Sequence, residues 1–181
     1  MKSKKGIIEI ICGPMFSGKT EELIRRLKRS IIAKNKVAVF KPKLDNRYSD
    51  NLVVSHNNNS IASIIIENEK DIIRLSKDIN IIGIDEIQFF SKNIINMCIS
   101  LANQGKRIII SGLDKDYKGS PFGIMPELLC EAELVTKLTA ICNQCGEYAS
   151  FTKRISDSKD QVVLGETDIY EANCRGCFYN N

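Results

Sequence analysis

The chain has 181 residues, 43% hydrophobic and 27% charged, enough for one domain plus a small appendage and for a core that needs no disulfides. Its net charge of +4, from 26 Lys and Arg against 22 Asp and Glu, is too mild an excess to indicate a nucleic-acid-binding face. No apolar run approaches the ~20 residues of a membrane span, and the apolar start at Ile7–Ile11 is short and carries Glu9, unlike a secretory leader. The cytoplasm is therefore the expected compartment, where the seven cysteines read as metal ligands or core residues before disulfides.

In chain order, residues 7–12 (IIEIIC) predict a buried strand, followed by a glycine-rich stretch. From Glu21 to Lys34, Leu23, Ile24, Leu27 and Ile31 recur at helical spacing and predict one apolar face. Val37–Phe40 predicts a second strand, stopped by Pro42, and Leu52–Ile66 a loop with a strand at Ser63–Ile66. Asp71–Ser76 reads as a short helix, Ile79–Ile84 as a strand ending in Asp85-Glu86, and Ile94–Gln104 as a helix with Gly105 as its C-cap. Arg107–Ser111 predicts a further buried strand. Strand and helix alternate and the strands are almost continuously apolar, so the expected core is a parallel sheet covered on both faces. Near Ala140 the character changes to paired cysteines, polar loops and short β-type runs at Glu147–Lys153 and Gln161–Leu164, which predicts a small second lobe. The domain division expected is 1–139 and 140–181.

Gly13-Pro14-Met15-Phe16-Ser17-Gly18-Lys19-Thr20 matches G-x-x-x-x-G-K-[ST], with a strand before it and an amphipathic helix after it. In such a loop the backbone N–H groups turn inward around phosphate oxygens and the helix N-terminus adds partial positive charge. Lys19 then reaches the β- and γ-phosphates, and the Thr20 hydroxyl holds magnesium. The strand ending in Asp85-Glu86 delivers two carboxylates where open parallel sheets bind ligands. Asp85 suits the acid that orients Mg2+, and Glu86 suits a base for an acceptor hydroxyl. An acidic pair alone also fits a solvated loop end; its partnership with the phosphate loop favours the functional reading.

Cys142-x-x-Cys145 and Cys174-x-x-Cys177 are two pairs separated by 28 residues. They supply four thiolates for tetrahedral Zn2+ and leave no open position, so the metal expected is structural. Cys12, Cys98 and Cys130 sit among apolar neighbours and read as core. His56, the single histidine, lies in a polar stretch with Asn57-Asn58-Asn59 and reads as an exposed bystander.

Taken together, GPMFSGKT at 13–20, KPKLDNRYS at 41–49, IDEIQFF at 84–90, GLDKDYKGSPFG at 112–123, KLTAICNQCG at 137–146, FTKR at 151–154 and the closing Y-x-x-x-C-x-x-C at 170–177 resemble the type II (cellular and poxvirus) thymidine kinase family over essentially the whole chain. The resemblance implies an α/β P-loop fold of the RecA-like kind, a mostly parallel sheet flanked by helices, with a small C-terminal zinc-bearing lobe carrying a lasso loop. It implies that ATP contacts the 13–20 loop, Asp45, Arg47, Asp85 and Gln88, and that Glu86 deprotonates the thymidine 5′-hydroxyl. Met15, Phe89, Leu113, Tyr117, Thr152, Gln161, Val162, Val163, Leu164, Gly165 and Tyr170 are implied as substrate contacts, the 161–165 segment as the lasso that grips thymine. The family usually has phenylalanine at the position of Tyr117. The resemblance further implies a homotetramer inhibited by thymidine triphosphate, with no nucleic-acid or membrane partner. Two rivals remain: a nucleotide kinase acting on a monophosphate, for which Arg47 alone offers no acceptor-phosphate cluster, and an ATP-switched nucleic-acid module. The latter has only Lys153, Arg154, Lys159 and Arg175 in the lobe, interrupted by Asp157, Asp160, Glu166 and Asp168.

Overall fold

The computed structural model describes residues 6–44, 52–55, 59–156 and 168–180. Strands β1 (Ile7–Cys12), β2 (Val37–Pro42), β5 (Ile64–Ile66), β6 (Ile81–Ile84), β7 (Arg107–Gly112) and β8 (Leu134–Lys137) form one sheet in the order β5-β2-β6-β7-β1-β8. Every pairing in it is parallel, with Ile10 opposite Ile110 and Ile82 opposite Ile108.

The period-2 alternation of strand side chains divides the apolar residues between two faces. Ile8, Ile10, Ile82, Ile84, Ile108 and Ile110 pack on one side with residues of α2 (Glu69–Leu75), α3 (Asn93–Asn103) and α4 (Met125–Glu131). Ile11, Val39, Ile81 and Ile109 pack on the other with Leu23, Ile24 and Leu27 of α1 (Lys19–Ile32). Val53, in a hairpin of β3 (Leu52–Val54) and β4 (Ser60–Ala62), closes that second face. The chain thus leaves β1 toward one face and leaves β6 and β7 toward the other. Such a reversal opens a crevice beyond the C-terminal strand ends.

Glu9 shows how a charge is tolerated inside the sheet. It is buried on the α1 side and accepts from Arg26 at 2.9 Å and from Arg107 at 2.5 Å, with Arg26 reaching on to Thr136 at 2.8 Å. One carboxylate therefore ties α1, β1 and β7 together, and Arg26 extends the tie to β8.

The lobe consists of a ribbon of β9 (Ala140–Ile141) and β10 (Tyr148–Ala149), a second ribbon of β11 (Phe151–Arg154) and β12 (Tyr170–Asn173), and α5 (Arg175–Tyr179). Its small core of Ala140, Cys142, Ala149 and Ala172 has Phe16 of the phosphate loop packed against it. Among the described residues no helix is long and apolar enough to cross a membrane.

Several expectations shift. The first helix starts at Lys19 rather than Glu21, and Ile31 is half exposed while Ser30 is buried, because the α1 seam follows Leu23, Leu27 and Ser30. β2 runs through Pro42, whose missing N–H costs no ladder bond at the strand's last residue. The hairpin, α4 and β8 lie where only loops or nothing were expected. Cys12 and Cys98 are buried, but Cys130 is exposed, since α4 turns Met125 and Leu128 inward instead. Gly105 ends α3 as expected, with φ 86° and its N–H on the Ala102 carbonyl at 2.8 Å.

Leu27 is fully buried, and its methyls fill the space a Cβ on Gly83 would occupy. Leu27→Ala is expected to lower unfolding free energy in urea by about 2–5 kcal/mol. On the outer side of α1, the Arg25 hydrogen bond, opposed by partial burial and assisted by Arg26, holds the Glu22 carboxyl down at about 2. Its folded value is depressed, so its stabilisation is complete above the ordinary carboxylate range and fades as pH falls from there toward 2. Glu22→Gln should therefore lower the melting temperature at pH 6 and leave it unchanged near pH 2.

Candidate functional site

The phosphate loop joins β1 to α1 through two residues in left-handed backbone, Phe16 at φ 63° and Gly18 at φ 80°. Gly13 is required sterically: at φ 146°, a Cβ there would sit 2.4 Å from the Leu138 carbonyl oxygen. The Ser17 hydroxyl donates to the Pro14 carbonyl at 2.8 Å, and Lys19 Nζ, buried, donates to the same oxygen at 2.6 Å. The Met15 N–H donates to Thr152 Oγ1 of the lobe at 2.9 Å. Loop and lobe are thus joined by a hydrogen bond and by the packing of Phe16.

Across β7, at the end of β6, the Asp85 carboxylate is buried. Its Oδ2 accepts from Thr20 Oγ1 at 3.2 Å, and its Oδ1 accepts from its neighbour's N–H at 3.1 Å and from Ser111 Oγ. Three strand ends, β1 through the loop, β7 through Ser111 and β6 through Asp85, therefore meet on one carboxylate. Ser111 was not singled out from the sequence. The signal was there, a lone hydroxyl closing the run Ile108-Ile109-Ile110 at the ligand end of a central strand.

Glu86 follows in left-handed backbone, φ 51°, a conformation that costs a non-glycine residue of order 1 kcal/mol and recurs at functional sites. It stands at the head of a 3-10 turn, Ile87–Phe89. Its Oε2 accepts from Gln88 Nε2 at 2.5 Å, and Gln88 Oε1 in turn accepts from the Leu113 N–H at 3.0 Å. Phe89, half-buried, meets Phe122 edge-on at 6.0 Å.

Residues 113–123 return from β7 and lie against the lobe. Tyr117 is stacked under the Arg154 guanidinium at 3.7 Å, and Arg154 donates to the Tyr170 hydroxyl at 2.8 Å. Arg154, counted from the sequence as a basic residue of the lobe, is in fact buried between these two rings. Lys115 lies 4.3 Å from the centre of the Phe151 ring, and Phe151 stacks on Phe178 of α5 at 4.6 Å. A Cβ on Gly119 would come 3.1 Å from Phe178, so the loop and α5 touch directly. Met15, Tyr117, Thr152 and Tyr170 are thereby linked at the seam with the lobe and Leu113 is held by Gln88, while Asp45, Arg47 and Gln161–Gly165 lie outside the described residues, as does His56.

The sulfurs of Cys142, Cys145, Cys174 and Cys177 all lie within 4.8 Å of one another, with Cys145 and Cys174 at 3.6 Å. Tetrahedral thiolates around an ion at ~2.3 Å are spaced by about 3.8 Å, so the set fits a metal. Burial raises the Cys142 thiol, but backbone hydrogen bonds at Cys174, Cys145 and Gln144 outweigh it and lower it, while hydrogen bonds shared with Cys145 and Cys174 push the Cys177 thiol up, so the four sulfurs share protons that a bound metal would displace. The four ligands come from the turn after β9 and from the start of α5, so an ion there clamps β9 to β12 and α5.

Comparison with known proteins agrees over the same span. The family model described as thymidine kinase matches residues 6–178. A thymidine kinase of Bacteroides thetaiotaomicron is 52% identical over 175 residues, 97% of this chain and 88% of that protein. One of Rhodothermus sp. is 50% identical over 96% of this chain and 81% of its own, and one of Porphyromonas gingivalis 47% identical over 97% and 86%. Domain III of the Thermotoga maritima replication initiation protein DnaA aligns over 77% of this chain and 57% of its own at 16% identity, with a TM-score of 0.47, from which nothing about activity follows. A phosphate loop, an acidic strand end and a four-cysteine clasp in one chain matched nearly end to end lead to a single assignment: the chain belongs to the thymidine kinase family.

Proposed function

We propose that the protein transfers the γ-phosphoryl group of ATP to the 5′-hydroxyl of thymidine, giving thymidine monophosphate and ADP in nucleotide salvage for DNA synthesis. The observation that carries the proposal is the meeting of Thr20, Ser111 and Asp85 beside Glu86, in a chain matched over 97% of its length by a thymidine kinase. Phosphoryl transfer needs alignment and charge neutralisation more than covalent assistance. Gly13 to Thr20 cradle the phosphates through backbone N–H groups, Lys19 leaves the Pro14 carbonyl for the β- and γ-phosphates, and Arg47 and Asp45 complete the nucleotide side. Thr20 and Asp85 would hold Mg2+, whose charge offsets that developing on the β- and γ-phosphates. Glu86 takes the proton of the 5′-hydroxyl as its oxygen bonds to the γ-phosphorus, and the bond from that phosphorus to the β–γ bridging oxygen breaks to release ADP.

Phe89, Leu113, Tyr117, Thr152, Tyr170 and the 161–165 segment surround the base on this reading. A pocket that accepts the thymine methyl discriminates against its absence by only ~1–3 kcal/mol, so deoxyuridine is also a substrate. Zn2+ held by the four cysteines is structural, clasping the ends of the chain that carries 161–165, and 140–181 functions as a lobe distinct from the 1–139 nucleotide domain. Thymidine triphosphate as feedback inhibitor, a homotetramer and a cytoplasmic location complete the proposal.

With ATP, Mg2+ and a panel of nucleosides and deoxynucleoside monophosphates, product mass should show thymidine monophosphate from thymidine and little from purine nucleosides or monophosphates. Phosphorylation of monophosphates instead would move the assignment to another kinase class. Glu86→Gln should lower kcat by roughly 10²–10⁴ while thymidine affinity stays within a few-fold; unchanged kcat removes Glu86 from the base role. Cys177→Ser should lower bound zinc from one equivalent and raise the thymidine KM more than the ATP KM, whereas equal losses in both would point to unfolding of the whole chain.

A further inference from the structure

We infer that Gln88 is a positioning residue: it orients the Glu86 carboxylate and couples it to the 113–123 loop. The inference rests on the role proposed for Glu86 and deepens it. Gln88 is 6% exposed, and both polar atoms of its amide are engaged inside the protein, Nε2 donating to Glu86 Oε2 at 2.5 Å and Oε1 accepting from the Leu113 N–H at 3.0 Å. The amide orientation is dictated by these partners. A flipped group would set its oxygen against a carboxylate and its NH2 against an N–H, losing both bonds. The resemblance implies an ATP contact for the same side chain, and in the structure its amide lies against the neighbouring acid.

Two features place it there. Glu86 in left-handed backbone starts a 3-10 turn, and in that tight turn the amide of Gln88 comes back beside the carboxylate two residues earlier. Gly112, last residue of β7, makes the room: a Cβ there would lie 2.8 Å from Gln88 Oε1 and 2.7 Å from Ile87 Cγ2. The amide thus occupies a cradle that any other residue at 112 would invade.

The consequence is mechanical. A free glutamate samples several rotamers, few of which bring an oxygen to an acceptor hydroxyl, and general-base catalysis depends on that reach. Gln88 restricts Oε2 by a short, charge-assisted hydrogen bond. It also refers that oxygen to the backbone of Leu113, the first residue of the loop that carries Tyr117. Base and acceptor loop are therefore held in register by one side chain.

Gln88→Met keeps the length of the side chain and removes both hydrogen bonds; Gln88→Glu keeps an acceptor for Leu113 and removes the donor to Glu86. Both should lower kcat by about 10- to 100-fold, the scale of misplacing a catalytic group by about an ångström, with the KM values for ATP and thymidine little changed. The deciding readout is a double-mutant cycle. In a Glu86→Gln background, Gln88→Met should add less than about threefold, because the group it orients is already gone. Wild-type kcat in both variants, a raised thymidine KM with kcat intact, or the same proportional loss in both backgrounds would overturn the inference. If Gln88→Met does not fold, Gln88→Glu carries the same cycle. A wild-type protein inactive on thymidine would instead remove the reading on which the inference stands, and that control is measured first.

Discussion

A carboxylate buried at the end of a central strand is costly unless every lone pair it turns inward finds a partner. Asp85 meets that requirement with a hydroxyl from the phosphate loop, a hydroxyl from β7 and the N–H of the next residue. The arrangement works only with the strand order observed. β7 lies between β1 and β6, so its last polar residue reaches across the gap that separates the phosphate loop from the acidic pair. The sheet's two apolar faces, one covered by α2, α3 and α4 and the other by α1 and the β3–β4 hairpin, hold those strand ends in place, and the charge is thereby presented beside the phosphate loop.

Sheet and lobe also share a seam. Phe16, Met15 and the 113–123 loop all make contact with residues that follow Ala140. Phe178, one residue after Cys177, stacks on Phe151, and Phe151 lies under Lys115. A metal held by Cys174 and Cys177 at the start of α5 would therefore also fix the aromatic contacts that steady the loop. The four-cysteine cluster and the 113–123 loop are thus close neighbours in the fold.

Much of this was readable in the residues. The β1-loop-α1 unit, the strand closing on Asp85-Glu86 and the two cysteine pairs each pair a local pattern with a chemical requirement, and each stands where expected. The hairpin and β8 were not readable because Leu52–Val54, Ser60–Ala62 and Leu134–Lys137 are short or lie on the sheet's edge, where one side faces water and the apolar pattern thins. Ile31 misled because helical spacing fixes a stripe but not its edges. Ser111 carried a local signal, the hydroxyl that closes an apolar strand, but its partner, like those of Gln88 and Arg154, depends on strand order or on a tight turn, which no local pattern encodes. Their roles are set by what β7 and β11 bring beside them.

The most direct test of the account is Asp85→Asn, which keeps the shape and two of the hydrogen-bonding options of the side chain and removes its charge. Turnover of thymidine should be titrated with magnesium at saturating ATP. The account predicts a fall in kcat of at least about 10² and a magnesium midpoint displaced to higher concentration, because the charge-neutralising metal loses its anchor. A variant with wild-type turnover and an unmoved magnesium midpoint would contradict it, and would mean that the bridge on Asp85 serves the fold alone.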